Sequence, residues 1–232
     1  MIKGILYLVP TPIGINSLIS SQTKELVCKT RHFIVETEKD ARRFLKLCGY
    51  DLKNHYPEFY LLNEHNAHMS IEEYLSPINQ GFNMVIMSDA GIPCVADPGY
   101  QVVKLCHQKG VEVIPVSGSS SIFLALMSSG FNGQNFSFHG YLPMDKQARA
   151  AKLKNIEFDI FKNNTSHLFI ETPYRNNQLL ADLLLNLPSD RLLCIAIDIE
   201  GEHQMIKTLS IKTWKTMSVV LDKSPAVFVL GK

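Results

Sequence analysis

The sequence predicts an α/β protein: a mostly parallel sheet with flanking helices in the first half, and a mixed sheet with helices in the second. Three observations carry this reading. Short apolar runs at residues 5–9, 84–87 and 111–116 alternate with stretches of helical periodicity, and runs of this kind bounded by turns read as buried strands. Glycine- and proline-containing turns follow three strands of the first half. Near the C-terminus, strands follow one another closely in sequence, which favours antiparallel pairs. The join is expected near residues 116–121, giving domains of 1–116 and 117–232. With 232 residues, 46% of them hydrophobic, the chain can fill two cores of that size.

Residues 5–9 form the first strand. Pro10-Thr-Pro-Ile-Gly14 breaks it into a rigid turn, because each proline fixes φ and Gly14 permits a left-handed step. A helix should start at Ser20 or Ser21 and run to Thr30, followed by a strand over 32–37 and a charged helix over 38–47 that Gly49 stops. Residues 56–66 read as loop with a short strand over 59–62. Residues 67–80 read as a helix whose apolar stripe is Met69, Tyr74, Leu75 and Ile78. A strand over 82–87 then leads into Met87-Ser-Asp-Ala-Gly-Ile-Pro-Cys-Val-Ala-Asp-Pro-Gly-Tyr100, and a helix from Tyr100 to Lys109 carries Val102, Val103, Leu105 and Cys106. The strand over 111–116 opens into Ser117-Gly-Ser-Ser-Ser121 and a helix over 122–127, closed by Gly130. Beyond it come a strand over 135–141, a helix over 146–162 and a strand over 166–172 that ends in Glu171-Thr-Pro-Tyr-Arg175. A leucine-rich helix follows, then strands over 192–199, 204–211 and 226–230. Phe131, Phe136, Phe138, Phe158, Phe161 and Phe169 are expected in the core.

Composition removes several classes of function. A formal net charge of +1 lacks the basic bias of a protein that coats nucleic acid. No apolar run approaches the roughly 20 residues needed to span a bilayer, and the N-terminus reads as a strand rather than a signal peptide. The five cysteines are scattered, with no C-x-x-C pair, so the reading is reduced thiols in a cytoplasmic protein, with neither a disulfide framework nor a zinc knuckle. Glu64-His-Asn-Ala-His68 offers too few ligands for a metal site, and none is expected.

The chemistry is expected at the turns. If the strands are parallel, Pro10 to Gly14, Asp89 to Gly99 and Ser117 to Ser121 open on one edge of the sheet and can line one crevice. There is no G-x-x-x-x-G-K-[ST], and no G-x-G-x-x-G opens a helix. The serines at 117–121 can present backbone N–H groups to an anion, or simply cap a helix. Glu36, Asp89 and Glu171 stand at strand ends, where a general base is often placed; each could instead cap a helix or pair with an arginine. Lys146, Arg149, Lys152 and Lys154 form a basic cluster that is either a solvated face or a phosphate contact.

Leu8-Val-Pro-Thr-Pro-Ile-Gly14 and Ser88-Asp-Ala-Gly-Ile-Pro-Cys-Val-Ala-Asp-Pro-Gly-Tyr100 together resemble the S-adenosylmethionine-dependent tetrapyrrole methylase superfamily. Within it they are most similar to the ribosomal RNA small subunit methyltransferase I branch. Further matches follow in order: Asn63-Glu-His-Asn66, Pro115-Val-Ser-Gly-Ser-Ser-Ser-Ile122, Phe138-His-Gly-Tyr-Leu-Pro143 and Ile170-Glu-Thr-Pro-Tyr-Arg175. The resemblance implies two domains with S-adenosyl-L-methionine in a cleft between them, a homodimer, and methylation of a cytidine 2′-hydroxyl in ribosomal RNA. It implies cofactor contacts at Pro12, Gly14, Ala90, Gly91, Ile92, Pro93, Val95, Ser119 and Ser120, with Glu171, Thr172, Ala196 and Ala226 closing the pocket from the second domain; Asp89 and Glu171, by their place at strand ends, are the candidate catalytic carboxylates.

The chain departs from the branch at Ile15, at Lys39 in place of arginine, at residues 196–201 including Ile197, and at Ser224-Pro225 in place of Gly-Glu; the additional C-terminal segment of long members is absent. The cofactor turns persist, whereas positions expected near the acceptor change. Two rival readings therefore stand beside the RNA methyltransferase: carbon methylation of a tetrapyrrole, and a cofactor-binding regulator without catalysis.

Overall fold

Strand β4 (Met84–Met87) explains the architecture of the first half, because all four of its residues are buried. Met84 and Ile86 enter one apolar cluster, Val85 and Met87 another on the opposite face. A strand covered on both faces needs an unbroken apolar run, which is what Met84-Val-Ile-Met87 supplies. The computed structural model describes residues 4–62, 71–221 and 223–232. The chain divides into one unit of Met1–Ile13 with Ser17–Ser120 and a second of Gly14–Asn16 with Ser121–Lys232.

In the first unit, β1 (Leu6–Leu8), β2 (His32–Val35), β3 (Glu58–Leu61), β4 and β5 (Val113–Pro115) form a sheet in the order β3-β2-β4-β1-β5. Every pairing in it is parallel. Helices α1 (Ser21–Lys29) and α2 (Glu38–Cys48) cover one face through Val27, Ala41, Phe44 and Leu45. The other face is covered by α3 (Ile71–Tyr74), α4 (Ser76–Asn79) and α5 (Tyr100–Gln108), through Tyr74, Ile78, Val102 and Cys106. Gly49 ends α2 in the left-handed region at φ 86°, as its position after the last apolar residue predicts. The helix expected over 67–80 is two short pieces in its described part, separated at Leu75, with Pro77 in the first turn of α4.

In the second unit the sheet runs β6 (Phe136–Tyr141), β7 (Ser166–Glu171), β10 (Ala226–Gly231), β8 (Leu192–Ile197), β9 (Met205–Ser210). Only the β6–β7 pair is parallel, so the sheet is mixed, as the close spacing of the last strands suggests. Helices α7 (Lys146–Asn163) and α8 (Asn176–Asn186) pack Leu153, Ile156, Ile160, Leu179 and Leu183 on one face, around the stacked rings of Phe169 and Phe228. Helix α6 (Ser121–Ser129) lies against β8, β9 and β10. A helix absent from the sequence reading, α9 (Ile211–Thr216), follows β9 directly; the Ser210 hydroxyl caps it, and the Trp214 indole donates to the Leu193 carbonyl at 2.9 Å.

Two expectations about side chains fail here. Phe136, Phe158 and Phe161 are 37%, 64% and 76% exposed rather than buried: Phe136 opens β6 and meets the ring of Phe123 edge-on, whereas α7 turns its aliphatic stripe inward and leaves Phe158 and Phe161 under Lys162 and Lys232. Arg149, taken as part of a basic face, is buried. Its guanidinium pairs with Asp182 and donates to the Pro143 and Met144 carbonyls at 2.8 and 3.0 Å. Removing one partner of such a pair leaves a stranded charge, a loss of about 3–5 kcal/mol.

A second polar cluster lies on β6, β7 and α7. His139 Nε2 and His167 Nδ1 are 2.8 Å apart, and the Asp159 carboxylate lies 2.9 Å from His167 Nε2. Burial, then Lys152 and the neighbouring His167, push His139 down to about 4. Burial also lowers His167, against the pull of Asp159 and Glu157. Both rings therefore stay neutral in the folded chain while the unfolded chain takes up protons near pH 6.5. The His139 contribution to stability is complete above about pH 6.5 and is lost as pH falls toward about 4, and that of His167 is lost in the same direction. We expect the thermal midpoint to drop on acidification through this window, and His139→Gln to flatten that drop when midpoints are measured across it.

Candidate functional site

The residues that matter sit just beyond the carboxyl ends of β1, β4 and β5. Because β1 pairs in parallel with both neighbours, the turns after all three strands emerge on one edge. There Thr11 and Gly91 form an isolated two-residue bridge, each N–H donating to the other's carbonyl at 3.0 and 3.1 Å. The buried Thr11 hydroxyl donates to the Ser88 carbonyl at 3.1 Å, and the Ser88 hydroxyl to the Gly91 carbonyl at 3.1 Å. Gly91 is buried and adopts φ +85°, a conformation side chains resist; a Cβ there would lie 3.1 Å from the Ile13 side chain. Gly118 packs so closely on Pro10 that a Cβ there would lie 2.4 Å from the proline Cβ. The structure thus joins three of the turns singled out in the sequence, at Pro10 to Ile13, Ala90 to Pro93 and Gly118 to Ser120.

Around this junction, Pro12, Ile92 and Ser119 are half-buried, Pro93 and Ser120 buried, and Ala90 and Val95 exposed. Gly14 belongs to the second unit, lodged against the Glu200–Gly201 peptide. The loop after Pro93 is held in an unusual shape: Cys94 and Ala96 both have positive φ, 69° and 61°. The Asp97 carboxylate stabilises it, accepting from the Cys94 N–H at 2.7 Å and the Gly99 N–H at 2.6 Å. Burial pushes the Cys94 thiol up to about 12.

Asp89 is exposed, and it exchanges hydrogen bonds with the end of the neighbouring strand. Its carboxylate accepts from the Thr37 N–H at 3.2 Å and the Thr37 hydroxyl at 2.5 Å, while its own N–H donates to Glu36 at 3.1 Å. Burial, reinforced by the nearby Asp89 and Asp97, pushes the Glu36 carboxyl up, against the hydrogen bond from the Asp89 N–H. Two carboxylates therefore flank the junction, one open to solvent and one sheltered. The hydroxyls of Thr11, Ser88 and Thr37 carry this geometry, and the sequence reading did not single them out. A threonine between two prolines was the available signal, since a residue whose neighbours lack N–H groups must hold the turn itself.

In the second unit Glu171, Ala196, Ala226 and Ile197 share one end of the sheet: Ala226 stands opposite both Glu171 and Ile197, and Ala196 opposite Val227. Glu171 is buried, and one of its oxygens accepts from the Thr172 N–H at 2.7 Å and from Arg175 at 2.7 and 3.1 Å. Of the positions that depart from the family pattern, Ile197 lies at this end of the sheet, opposite Ala226. The Ser224 carbonyl accepts from Asn176 at 2.9 Å and the Pro225 carbonyl from the Asp198 N–H at 3.0 Å, while Lys39 is exposed on α2. The Asn63-Glu-His-Asn66 match and the His65–His68 pair lie outside the described residues. Among the described residues, no cluster of three or more His, Cys, Asp or Glu could hold a metal ion, and no helix is long and apolar enough to cross a membrane.

No family model matches the chain. It is 30% identical over 216 residues to ribosomal RNA small subunit methyltransferase I of Pasteurella multocida, which spans 93% of this chain and 70% of that protein. The protein of the same name from Vibrio cholerae is 30% identical, covering 90% and 71%. That from Thermotoga maritima is 35% identical, covering 87% and 86%. In fold, the chain is similar to the crystal structure of uroporphyrin-III-C-methyltransferase from Thermus thermophilus. The TM-score is 0.57 at 14% identity, over 99% of this chain and 92% of that one.

Because Gly118 has no room for a methyl group against Pro10, Gly118→Ala is expected to force the turns apart. The expected cost is about 1–3 kcal/mol, read as a lower denaturant midpoint with an unchanged slope.

Proposed function

The chain belongs to the ribosomal RNA small subunit methyltransferase I family, and from that premise we propose that it transfers a methyl group from S-adenosyl-L-methionine to a ribose 2′-hydroxyl of ribosomal RNA. The donor supplies a methyl group on a sulfonium, which is displaced in line by the acceptor oxygen. What such a reaction asks of a protein is chiefly placement of donor and acceptor. The observation that supports the reading is the junction of three turns, with the Thr11–Gly91 bridge at its centre and Gly118 seated on Pro10.

That junction fits the donor. Pro12, Ala90, Gly91, Ile92, Pro93, Val95, Ser119 and Ser120 would hold it with main-chain amides, carbonyls and small apolar surfaces. None of these groups has to reorganise as the sulfonium loses its charge. The carboxylate to receive the hydroxyl proton is Asp89. It is open to solvent, and Thr37 fixes its orientation. Glu36 stands behind it as a sheltered carboxyl whose proton affinity burial raises, and it accepts from the Asp89 N–H. Glu171 is engaged with Arg175 and buried, so its role in this reading is to fix the turn at Thr172. Asp89 would take the hydroxyl proton as the acceptor oxygen gains the methyl group, and the donor, when bound, would leave as a neutral thioether.

Calorimetry with S-adenosylhomocysteine should show binding; no binding at millimolar ligand would falsify the donor assignment. Asp89→Asn keeps an acceptor for Thr37 and is expected to retain that binding while lowering kcat by about 10²–10⁴-fold. Nucleoside mass spectrometry of ribosomal RNA from cells with and without the gene should show one 2′-O-methylnucleoside disappearing. Unchanged RNA alongside intact donor binding would point instead to a tetrapyrrole acceptor or to a regulator without catalysis.

A further inference from the structure

The edge of the first sheet opposite the turn junction carries a second feature. Just before β2 the chain runs through Lys29 and Arg31, and the segment after α2 brings Tyr50, Asn54, His55 and Tyr56 beside them. These residues line an open hollow of about 410 Å³, a size typical of small-ligand sites. No carboxylate lines it among the described residues.

The walls differ in kind. Tyr50, only 7% exposed, lies between Phe33 and His55, which meet it edge-on at 5.9 and 6.3 Å between ring centres. Its hydroxyl donates to the Thr30 carbonyl at 3.2 Å, so that wall is fixed. The adjoining loop is also held: Asp51 accepts from the Lys53 and Asn54 N–H groups and from the Asn54 amide, and the His55 N–H donates to the Asp51 carbonyl at 2.9 Å. From this loop Tyr56 stands 74% exposed. Lys29 and Arg31 pair with Glu25 and Glu58, but the four side chains are 45–73% exposed. Solvent screens such pairs, and they open at little cost.

A rigid loop presenting an open aromatic ring beside two mobile cations is the pairing that single-stranded nucleic acid requires. Bases stack on the ring, and phosphates meet the cations. We propose that this hollow binds a nucleotide of single-stranded RNA, with the base on Tyr56 and the phosphate at Lys29 and Arg31. The proposal rests on the RNA reading above and adds to it a recognition point on the far edge of the sheet from the donor turns. Stacking is indifferent to base identity, so the site contributes affinity and register without sequence preference.

The test is fluorescence anisotropy with a short, labelled, mixed-sequence single-stranded RNA, run beside S-adenosylhomocysteine calorimetry on each variant. Tyr56→Ala should weaken RNA binding about five- to 150-fold, and Tyr56→Phe should restore it. Arg31→Gln should lower the slope of log affinity against log salt by about one. S-adenosylhomocysteine binding should match the wild type throughout, which also shows that the variants fold. RNA binding unchanged in both Tyr56→Ala and Arg31→Gln overturns the proposal and leaves the RNA reading standing. A wild-type chain that binds S-adenosylhomocysteine but no RNA defeats both. Displacement of the RNA by polyglutamate, at equal charge, as readily as by unlabelled RNA would reassign the hollow to acidic protein segments.

Discussion

Strand β1 lies between β4 and β5 and runs parallel to both; the candidate site depends on that one constraint. Parallel neighbours deliver their carboxyl ends to the same edge, so three loops distant in sequence are bound to meet. Once they meet, the main chain can do the joining. The Thr11–Gly91 bridge uses only peptide groups; Gly118 lies where a Cβ would intrude on the Pro10 ring, and Gly91 takes a φ that side chains resist. Reversing a single strand would send its loop to the far edge and dissolve the junction without altering any residue within it.

That constraint was legible in the sequence because it rests on two strong local signals. Continuous apolar runs announce strands buried on both faces, and Gly-Pro turns after them announce backbone held in special conformations. What was not legible depended on rotation and on partners far along the chain. Nothing local tells whether Phe158 and Phe161 lie on the inner or outer side of an 18-residue helix with a weak stripe. Nothing local tells that Arg149 would turn inward to meet Asp182, 33 positions away. The short helix after β9 escaped notice because six residues carry too little periodicity to separate from a strand end. The hydroxyls of Thr11, Ser88 and Thr37 escaped it for a related reason: what each does is defined by an acceptor on another loop.

The departures from the family pattern have a physical reading of their own. In the second unit, Ser224 and Pro225 contribute carbonyls, not side chains, to the bonds that hold the end of the sheet. Ile197 contributes a strand pairing opposite Ala226. Main-chain roles are indifferent to residue type, so the framework tolerates exchange at these places. The positions of the first junction are different. There the glycines are required by space and by φ, and they persist.

The left-handed bend at Cys94 has a chemical corollary. A thiolate on such a loop would be a nucleophile open to alkylation and oxidation. With its proton held until about pH 12, this sulfur is a poor nucleophile at any physiological acidity. Burial of the loop therefore keeps this thiol protonated and unreactive, while Asp97 holds the turn.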